Sequence, residues 1–561
     1  MTEVSFPEEF NLADYFLFDR LKEGKGTRVA VRFGSRSWTY EDIADRTRRM
    51  AAALQAAGVR QEERVLVVLP DMPPFVWSIM ATLTSGAVLT MGNPDAPAED
   101  LAYLVEYTRA SAIVTVARVV RGIEAVGGAL SGARHLRALF LVPDVATGED
   151  PEQRDETAAT LLPATASATV MSLSQAIAAA GPMTPVRTRR DDVAIWLFTS
   201  GSTGKSKAAI HTHRDFAFNT EHYAKATVGY REGDVTVSVP RLFFGYATGT
   251  NLFFPFAVGG TTCLFAERPT PETLVAAIAR HRPTIVTNVP TMIGKLLEHD
   301  AAIVAKGEAG LDLASVRFSL SAGEALPPTL LERYLARFGP GSPRGGGEVY
   351  DGIGSAEMFH IYATNRPGDV KPGSLGRVVQ GYEIAILPED AKGPGATPVP
   401  PGEIGVMWVR GDSVALAYHQ DRDKSWRTFH GRWCCTGDLF RLDPDGYLWF
   451  GGRADDLLKV SGLWVSPLEV EECLVKHPDV AMAAVIGADD GGLLKPKAYV
   501  VLRDGAKSRS ATDVTAELQA HVKDRLAKHK YPRWIVIVDD LPRNDRGKVD
   551  KKTLKTREGV T

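Results

Sequence analysis

The sequence predicts an α/β protein whose large N-terminal part consists of mostly parallel sheets covered by helices. The first observation is that helical patterns alternate with short apolar runs, as in residues 37–70, and again around 99–116 and 272–290. The second is a change of pattern after about residue 400. Strand and hairpin patterns there predict a β-rich subdomain, followed by a small α+β tail.

The first helix and strand are the most sharply specified. Thr39 can cap a helix whose first turn contains Asp42. Gly58 suits the end of that helix, and the apolar run 64–69 then predicts a buried strand. Four residues at helical spacing form the expected buried face: Ile43, Thr47, Met50 and Leu54.

The same pattern predicts helices around residues 99–110 and 272–283, each followed by a strand, at 112–116 and 284–290. Three stretches are predicted to be surface loops because they are rich in Pro, Gly or small polar residues and lack periodicity. They are residues 143–185, 339–348 and 392–403.

In the C-terminal part, residues 438–453 predict a hairpin with Asp445 and Gly446 in its turn. Residues 513–530 predict a helix, and we place the domain boundary so that 1–453 form the N-terminal domain and 454–561 the C-terminal domain. The predicted core face of that helix contains Val514, Leu518, Val522 and Leu526.

Composition excludes several classes of protein. A net charge of −3 over 561 residues argues against a nucleic-acid binder, and 44% hydrophobic residues argue against wholesale disorder. No apolar run approaches the roughly 20 residues of a membrane span, and the acidic N-terminus does not resemble a signal peptide. We therefore expect a cytoplasmic protein without a membrane partner. The four cysteines form no C-x-x-C pair, so we expect free thiols and no zinc.

The stretch FTSGSTGKSKAAIHTH, residues 198–213, predicts a loop that binds phosphate. Its glycines let backbone N–H groups face an anion, and its hydroxyls and two lysines add donors and charge. A Walker A loop requires a glycine at position 199, where this chain has Thr199. The spacing therefore argues against a P-loop NTPase, although a flexible turn remains an alternative for the loop taken alone.

The same stretch resembles the glycine-rich loop of the adenylate-forming superfamily, which includes acyl- and aryl-CoA ligases, adenylation domains and luciferases. Lys207 falls on the lysine of that family, while Ser206 and Ala208 replace its usual Pro and Gly. The resemblance implies that the loop holds the β- and γ-phosphates of ATP, with Lys205 peripheral. Its expected nucleotide-binding residues are Thr199, Ser200, Gly201, Ser202, Thr203, Gly204 and Lys207.

Further motifs of that superfamily follow in order along the chain. SAGEALP, residues 321–327, resembles the adenine-side segment, and YDGIGSAE, residues 350–357, resembles the Y-G-x-T-E motif with Ile353 for Tyr and Ala356 for Thr. CTGDLF contains the expected ribose-binding aspartate, and GGRADD the nucleotide-facing arginine and the hinge. The nucleotide-binding residues implied by these motifs are Gly323, Glu324, Ala325, Asp351, Gly352, Asp438 and Arg453.

The resemblance implies a reaction in two halves with ATP, Mg²⁺ and coenzyme A. A carboxylate attacks the α-phosphate of ATP, and a thiol then displaces AMP from the acyl-adenylate. Lys548 falls on the catalytic lysine and Glu357 on the glutamate linked to Mg²⁺, so we expect both to be catalytic. One site cannot be complementary to both transition states, which favours a mobile C-terminal domain that turns at Asp455. The thiol channel is expected at Lys459, Ser461 and Gly462.

The acyl-pocket region, residues 241–265, resembles that of benzoate– and 2-aminobenzoate (anthranilate)–CoA ligases. An aromatic wall with small residues accepts a flat ring, although core packing explains the phenylalanines nearly as well. We favour anthranilate over benzoate from the overall resemblance. The expected substrate-binding residues are Phe244, Gly245, Tyr246, Ile353 and His360.

Other functions stay open at this point. A stand-alone aryl-acid adenylation enzyme that loads a carrier protein would share all of these motifs. A P-loop NTPase or nucleotide-binding regulator is disfavoured by Thr199, and an oxidative, luciferase-like fate is a rare specialisation. With coenzyme A as acceptor, the product thioester would pass to a biosynthetic or degradative enzyme.

Overall fold

The structure is a computed structural model that describes residues 4–152, 168–200, 205–460, 463–490, 494–542 and 549–558. Within these ranges the side chains of Ser200, Lys459, Leu463 and Trp464 are outside the description.

The strands are, in chain order, β1 Val29–Phe33, β2 Arg36–Thr39, β3 Arg64–Val68, β4 Val88–Met91, β5 Ala112–Val116, β6 Ala138–Val142, β7 Thr169–Ser172, β8 Val193–Ser200, β9 Ser206–Thr212, β10 Val235–Ser238, β11 Thr261–Leu264, β12 Ile285–Asn288, β13 Phe318–Ser321, β14 Glu348–Gly354, β15 Ile361–Thr364 and β16 Arg377–Val378. They continue with β17 Glu383–Leu387, β18 Gly405–Arg410, β19 Phe429–His430, β20 Trp433–Leu442, β21 Leu448–Arg453, β22 Leu458–Val460, β23 Leu463–Val465, β24 Val480–Asp489, β25 Leu494–Leu502 and β26 Trp534–Ile537.

The α-helices are α1 Asp19–Lys22, α2 Tyr40–Ala56, α3 Pro73–Thr84, α4 Ala98–Thr108, α5 Ala117–Ala125, α6 Leu173–Ala179, α7 His213–Asn219, α8 Gly245–Thr248, α9 Phe254–Val258, α10 Pro271–His281, α11 Pro290–Ala305, α12 Pro328–Phe338, α13 Arg422–Thr428, α14 Pro467–Val475, α15 Ala511–Arg525 and α16 Lys551–Arg557. Across the described ranges, none of the helices combines the length and apolarity needed to cross a lipid bilayer.

The chain divides into two compact units. The first contains the described residues up to Ile384 together with Val409–Cys434, and the second contains Ala385–Trp408 and the described residues from Cys435 onward. The boundary of a mobile domain at residue 453 stays a prediction.

Two mostly parallel sheets form the framework of the first unit. A seven-stranded sheet has the order β7-β6-β5-β3-β4-β8-β9, in which only the final pairing, β8 with β9, is antiparallel. A nine-stranded sheet has the order β16-β15-β14-β13-β12-β10-β11-β1-β2, with a parallel centre and antiparallel edges. The predicted α/β class is therefore confirmed.

The carboxyl ends of β12, β13 and β14 place three polar residues side by side. Asn288 pairs in register with Ser321, and Ser321 pairs with Asp351. Ligands of open parallel sheets bind beyond the carboxyl ends of the strands. This edge is consequently where the fold favours a binding site.

The second unit contains the antiparallel hairpin of residues 438–442 and 448–453, and a three-stranded sheet in the order β24-β25-β26. Helix α15 packs its apolar face on that sheet, with Val514, Leu518 and Val522 fully buried. Leu526, predicted for the same face, instead lies in extended backbone at the end of the helix and is half-buried. The helix ends earlier than predicted, so helical spacing does not apply to this leucine.

The predicted first helix is confirmed by α2. The Thr39 hydroxyl accepts the backbone N–H of Asp42, and the Asp42 carboxylate accepts the N–H of Thr39, which forms a capping box. Gly58 follows the helix end at a φ of 84°, a left-handed conformation that glycine adopts without a Cβ penalty. The strand that follows ends at Val68, one residue before the predicted Leu69.

The prediction that residues 143–185 form only a loop is wrong for its described second half. Strand β7 extends the seven-stranded sheet beside β6, and the short helix α6 follows it at once. Leu173 and Ile177 bury one side of that helix. Seven residues of helix are too few to establish a periodic pattern, so the Ala-rich composition concealed it.

Candidate active site

The expected phosphate loop lies at the end of a β-hairpin. Thr199 pairs with Lys207, and Ser200 with Ser206, on strands β8 and β9. Gly201, Ser202, Thr203 and Gly204, which join these strands, lie outside the described residues, as does the Ser200 side chain. The pairing of β8 with β9 therefore fixes the position of the Lys207 backbone.

Lys207, Glu357 and Tyr418 form a charged cluster beside this hairpin. The Lys207 Nζ lies 4.0 Å from Oε1 of Glu357 and 3.6 Å from the centre of the Tyr418 ring. The Tyr418 hydroxyl donates to the same Glu357 oxygen over 2.6 Å. The side chains of Lys207 and Glu357 are 17% and 15% exposed, so both charges are largely desolvated yet accessible. Burial and the Glu357 charge raise the pKa of Tyr418, which keeps its hydroxyl protonated.

The backbone of Glu357 is held from two sides. The residue lies in a short 3₁₀ turn, Ala356–Met358, directly after β14. The Nε2 of His211 lies 2.6 Å from the carbonyl oxygen of Ala356, and the N–H of Ala415 donates to the carbonyl oxygen of Glu357 over 2.8 Å. Asp215 anchors the His211 ring through Nδ1 at 2.8 Å. The carboxylate therefore projects from a rigid base.

His211 and Tyr418 were not identified from the sequence. Asp215 forms the capping box of α7 with Thr212, which is a local signal in the sequence. This box positions the Asp215 carboxylate, which contacts His211. Tyr418 lies in a segment outside the motifs quoted above, and no local pattern marks it. The roles of both residues can be recognised only in the folded structure, where each contacts a distant segment of the chain.

Two of the departures from the superfamily motifs, Ala208 and Ala356, have local packing partners. Ala208 is fully buried in a small apolar cluster with Val88 and Trp196, so its methyl group has packing partners. Ala356 packs against another apolar cluster, formed by Ala209, Ala415 and Tyr418. The carbonyl oxygen of Ser206 accepts the Tyr103 hydroxyl over 3.0 Å. The ammonium of Lys205, expected to be peripheral, lies 4.9 Å from the ring centre of Tyr103.

Tyr246 and His360 lie together among the expected acyl-pocket residues. Their ring centres are 5.4 Å apart, and Nε2 of His360 lies 3.0 Å from the carbonyl oxygen of Tyr246. A carbonyl oxygen only accepts, so Nε2 carries the proton. Burial lowers the pKa of His360 to about 4, which keeps the ring neutral at neutral pH. Its Nδ1 is therefore a hydrogen-bond acceptor.

Two buried polar atoms of this pair have no partner within the described residues. They are Nδ1 of His360 and the hydroxyl oxygen of Tyr246. Phe254 covers the His360 ring edge-to-face at 4.8 Å, and a Cβ added at Gly249 would lie 2.6 Å from Nε2. The imidazole is thus confined on the side of its bonded nitrogen.

The other expected pocket residues are partly accessible. Phe244 precedes helix α8 and lies 4.4 Å from Phe243 between ring centres, and both side chains are half-buried. A Cβ at Gly245 would lie 3.0 Å from a methyl group of Leu197, so a larger residue would crowd that side chain. Ile353 is half-buried at the end of β14.

Asp71 supports this segment, although it was not identified from the sequence. Its buried carboxylate accepts the N–H of Leu242 over 3.0 Å and lies 3.7 Å from the Arg241 guanidinium. Burial raises the pKa of Asp71 to about 6, against the lowering effect of Arg241. The carboxylate thereby fixes the start of the pocket segment.

The expected adenine-side residues lie at the carboxyl edge of the nine-stranded sheet. Asp351 is buried, its Oδ1 lacks a partner within the described residues, and burial raises its pKa to about 8. Both polar atoms of the neighbouring Asn288 are likewise buried without a partner in the described chain. Gly352 lies beside β15, where a Cβ would contact the Ala363 carbonyl oxygen at 2.8 Å.

The SAGEALP loop follows β13 at this edge. Gly323 adopts a φ of 91° and is exposed, as is Ala325. The Thr291 hydroxyl donates to Oε2 of Glu324 over 2.7 Å, which ties the loop to the first turn of α11.

The second unit contains the remaining described residues of the expected site. Asp438 and Arg453 face each other across the hairpin, with Arg453 Nη1 donating to Oδ1 of Asp438 over 2.9 Å. Asp455 lies in the 3₁₀ turn Ala454–Asp456, and its side chain is largely exposed. Lys548, Ser461, Gly462 and the Lys459 side chain lie outside the described residues.

Comparison with known proteins identifies the family. Residues 18–419 match the AMP-binding enzymes, and residues 469–548 match the AMP-binding enzyme C-terminal domain. The benzoate–CoA ligase of Thauera aromatica is 36% identical over 555 residues, covering 99% of this chain and 97% of the relative. The anthranilate–CoA ligase of Pseudomonas aeruginosa is 29% identical over 527 residues, covering 93% of this chain and 92% of the relative.

Solved structures agree over nearly the whole chain. An anthranilate CoA ligase in complex with anthranoyl-AMP superposes with a TM-score of 0.84 at 31% identity, covering 99% of this chain and 98% of the other. A benzoate CoA ligase from Burkholderia xenovorans LB400 superposes with a TM-score of 0.80 at 36% identity, covering 97% of this chain and 99% of the other.

ATP, Mg²⁺ and coenzyme A are used by CoA ligases of this kind. Mg²⁺ prefers one or two carboxylates together with phosphate oxygens and water, rather than a cage of protein ligands. Glu357 fits this preference, since Tyr418 engages only its Oε1. No cluster of three or more His, Cys, Asp or Glu side chains suited to a metal occurs in the part of the chain that the structure describes.

The matches cover both ends of the chain, agree with the fold, and contain the ordered motifs described above. The chain belongs to the AMP-binding enzymes of the adenylate-forming superfamily, in the group of benzoate– and anthranilate–CoA ligases, and is an AMP-forming acid–thiol ligase.

Proposed function

We propose that this enzyme activates anthranilate to the aryl-adenylate, with benzoate as the second candidate acid, and releases pyrophosphate. It then transfers the acyl group to coenzyme A and releases AMP. The observation that carries the choice of acid is the acceptor nitrogen of His360. Its Nδ1 is buried without a described partner, because Nε2 carries the proton toward Tyr246. An amino group beside the carboxylate would donate to that nitrogen.

Anthranilate is favoured over benzoate by the cost of an unmade hydrogen bond. A buried polar atom without a partner costs about 1–3 kcal/mol. Benzoate has no ring donor and would leave Nδ1 unpaired, whereas anthranilate would satisfy it. Benzoate is the second candidate because the Thauera aromatica relative, 36% identical, is a benzoate–CoA ligase.

Positioning and charge neutralisation are the main tasks in the first half-reaction, because two anions must approach each other. In this proposal Lys207 faces the β- and γ-phosphates, and Lys548 bridges the acid carboxylate and the α-phosphate. Glu357 would hold Mg²⁺, which when bound neutralises phosphate charge. The carboxylate oxygen attacks the α-phosphorus, and the bond to the bridging oxygen of pyrophosphate breaks.

In this proposal the nucleotide is held by the residues that the sequence motifs imply. Asp438 accepts the ribose hydroxyls, and Arg453, its ion-pair partner at 2.9 Å, orients that carboxylate. Asp351 and Gly352 line the adenine side together with the loop that contains Gly323, Glu324 and Ala325. Thr199, Ser200, Gly201, Ser202, Thr203 and Gly204 provide backbone and hydroxyl donors to phosphate.

The second half-reaction requires a different surface at the same adenylate. Rotation of a C-terminal domain at Asp455 would withdraw Lys548 and bring forward Lys459, Ser461 and Gly462 beside the thiol. The thiolate sulfur attacks the acyl carbon, and the bond to AMP breaks. A carrier protein in place of coenzyme A is the alternative acceptor, since the first half-reaction is the same.

Acid-dependent exchange of pyrophosphate into ATP tests the proposal across anthranilate, benzoate and straight-chain alkyl acids. Anthranilate should give the highest kcat/KM, with benzoate next. Higher kcat/KM for benzoate would refute the role given to His360, and preference for long alkyl acids would refute the aryl pocket. Thioester formation with coenzyme A, compared with a pantetheinylated carrier protein, decides the acceptor.

A further inference from the structure

Tyr418 contacts both charged residues of the cluster beside the phosphate hairpin. Its side chain is buried, its hydroxyl donates to Oε1 of Glu357 over 2.6 Å, and its ring centre lies 3.6 Å from Nζ of Lys207. Its own N–H donates to the Ser425 hydroxyl over 2.9 Å, and its backbone bridges to Ala209 on β9. The tyrosine is therefore held firmly between the two charges.

The Tyr418 hydroxyl is used differently from those of Tyr40 and Tyr230, two other buried tyrosines. The hydroxyl of Tyr40, also fully buried, donates to the carbonyl oxygen of Gly260, and that of Tyr230 to the carbonyl oxygen of Thr250. Those bonds satisfy backbone within the core. Tyr418 instead donates to a carboxylate that remains partly accessible, so its bond acts on a group that can meet a ligand.

The distance between the charges gives this arrangement its meaning. Lys207 and Glu357 lie 4.0 Å apart, at the outer limit of an ion pair. Opposite charges that are largely desolvated attract each other strongly. In a direct ion pair, the Lys207 ammonium would neutralise the Glu357 carboxylate. Lys207 would then be less available to phosphate, and Glu357 less available to the metal. The Tyr418 ring and hydroxyl engage the two groups separately.

We propose that Tyr418 is a positioning residue for the ATP half-reaction, which holds Glu357 by one oxygen and Lys207 by its ring so that the two charges stay available to metal and phosphate. The inference rests on the roles given to Glu357 and Lys207 in the proposed function. Ala356, which replaces the threonine of the superfamily, packs against the apolar cluster that contains Tyr418.

Binding of Mn²⁺ in the presence of ATP, measured by electron paramagnetic resonance, tests this without turnover. Tyr418→Phe keeps the ring and removes the hydroxyl, so the affinity for Mn²⁺ should fall about tenfold, the order expected for a lost hydrogen bond to a charged group. Its affinity for ATP without metal should change little. Tyr418→Leu removes both contacts and should weaken metal-free ATP binding as well, about threefold.

Tyr40→Phe is the matched control, because it removes a buried hydroxyl bonded at 2.7 Å to a backbone carbonyl away from this cluster. It should leave Mn²⁺ affinity unchanged. In steady state, Tyr418→Phe should raise the KM for ATP at limiting metal and leave the KM for the aryl acid within about twofold. A merely structural tyrosine would affect both substrates alike.

Glu357→Gln separates the two possible failures. If Glu357→Gln weakens Mn²⁺ binding and Tyr418→Phe does not, Tyr418 has no positioning role. If neither variant weakens it, the metal role of Glu357 in the proposed function is wrong, and the positioning role falls with it. In the double variant, Tyr418→Phe should add no further loss.

Fluorotyrosine placed at position 418 by genetic encoding provides a test that does not depend on the folding of Tyr418→Phe. Its ¹⁹F resonance should shift more with Mg²⁺ and ATP together than with ATP alone, because the metal changes the Glu357 carboxylate to which the hydroxyl donates. Equal shifts with and without Mg²⁺ would overturn the proposal.

Discussion

The imidazole of His360 donates from Nε2 to the backbone carbonyl oxygen of Tyr246 over 3.0 Å, and this bond fixes which of its nitrogens accepts. Because the carbonyl cannot donate, Nδ1 is left with a lone pair in a buried aromatic environment. The choice between acids with and without a ring donor thus depends on a bond made by the opposite nitrogen.

His360→Leu should lower kcat/KM for anthranilate about tenfold, the order of one lost hydrogen bond, and leave benzoate within about threefold. His360→Asn keeps an acceptor and should retain more of the preference. Both are measured by pyrophosphate exchange with each acid. An equal loss for the two acids would show that His360 only packs the pocket.

The preference for anthranilate should be insensitive to pH across the neutral range. Burial lowers the pKa of His360 to about 4, below the unfolded value of 6.5. The unfolded chain therefore binds more protons between those values, so stability from this group is present above pH 6.5 and is lost as pH falls toward 4.

This lowering of the His360 pKa corresponds to roughly 3 kcal/mol of folding stability, lost progressively on acidification. Urea unfolding at pH 7.5 and pH 5 should show a smaller pH-dependent loss for His360→Asn than for the wild type. An equal loss in both proteins would place the His360 pKa near its ordinary value.

Lys548→Ala should slow adenylate formation about a hundredfold or more, because it removes the cation proposed to bridge the acid carboxylate and the α-phosphate. Conversion of chemically prepared anthranoyl-adenylate to the thioester should largely survive. Lys552→Ala, in the following helix α16, is the matched control and should affect neither half-reaction. Similar losses in both half-reactions would remove Lys548 from the role given to it.

Asp455→Pro should have the opposite effect. Proline restricts the backbone at the point where the C-terminal domain is expected to turn, so the conformation for the second half-reaction becomes inaccessible. Pyrophosphate exchange should persist while thioester formation is lost. A folded variant that retains both activities would place the hinge elsewhere.

Much of the fold could be predicted from local patterns. The predicted capping box at Thr39 begins helix α2, and the predicted alternation of helix with buried strand corresponds to α2, β3 and the helix–strand pairs that follow. The short elements β7 and α6 escaped detection because seven helical residues are too few for a period. Helix α15 was predicted to continue to residue 530 but ends at Arg525, so Leu526 was assigned to a helical face.

Site residues could be predicted where a single sequence motif contains them, as for Glu357, Asp438 and Arg453, whose roles stay proposals. The residues that hold these side chains in place could not be predicted from the motifs, since they come from elsewhere in the chain. Tyr418 reaches Glu357 across 61 residues, and Asp71 reaches Leu242 across 171. Such contacts depend on tertiary packing, which no local pattern encodes.

The most direct measurement is the product analysis of a single reaction series with ATP, Mg²⁺, coenzyme A and one acid at a time. AMP, pyrophosphate and aryl-CoA should form in equal amounts, with the highest kcat/KM for anthranilate and benzoate next. Preference for long alkyl acids, or release of ADP and phosphate without thioester, would contradict the assignment of this chain as an aryl-CoA ligase.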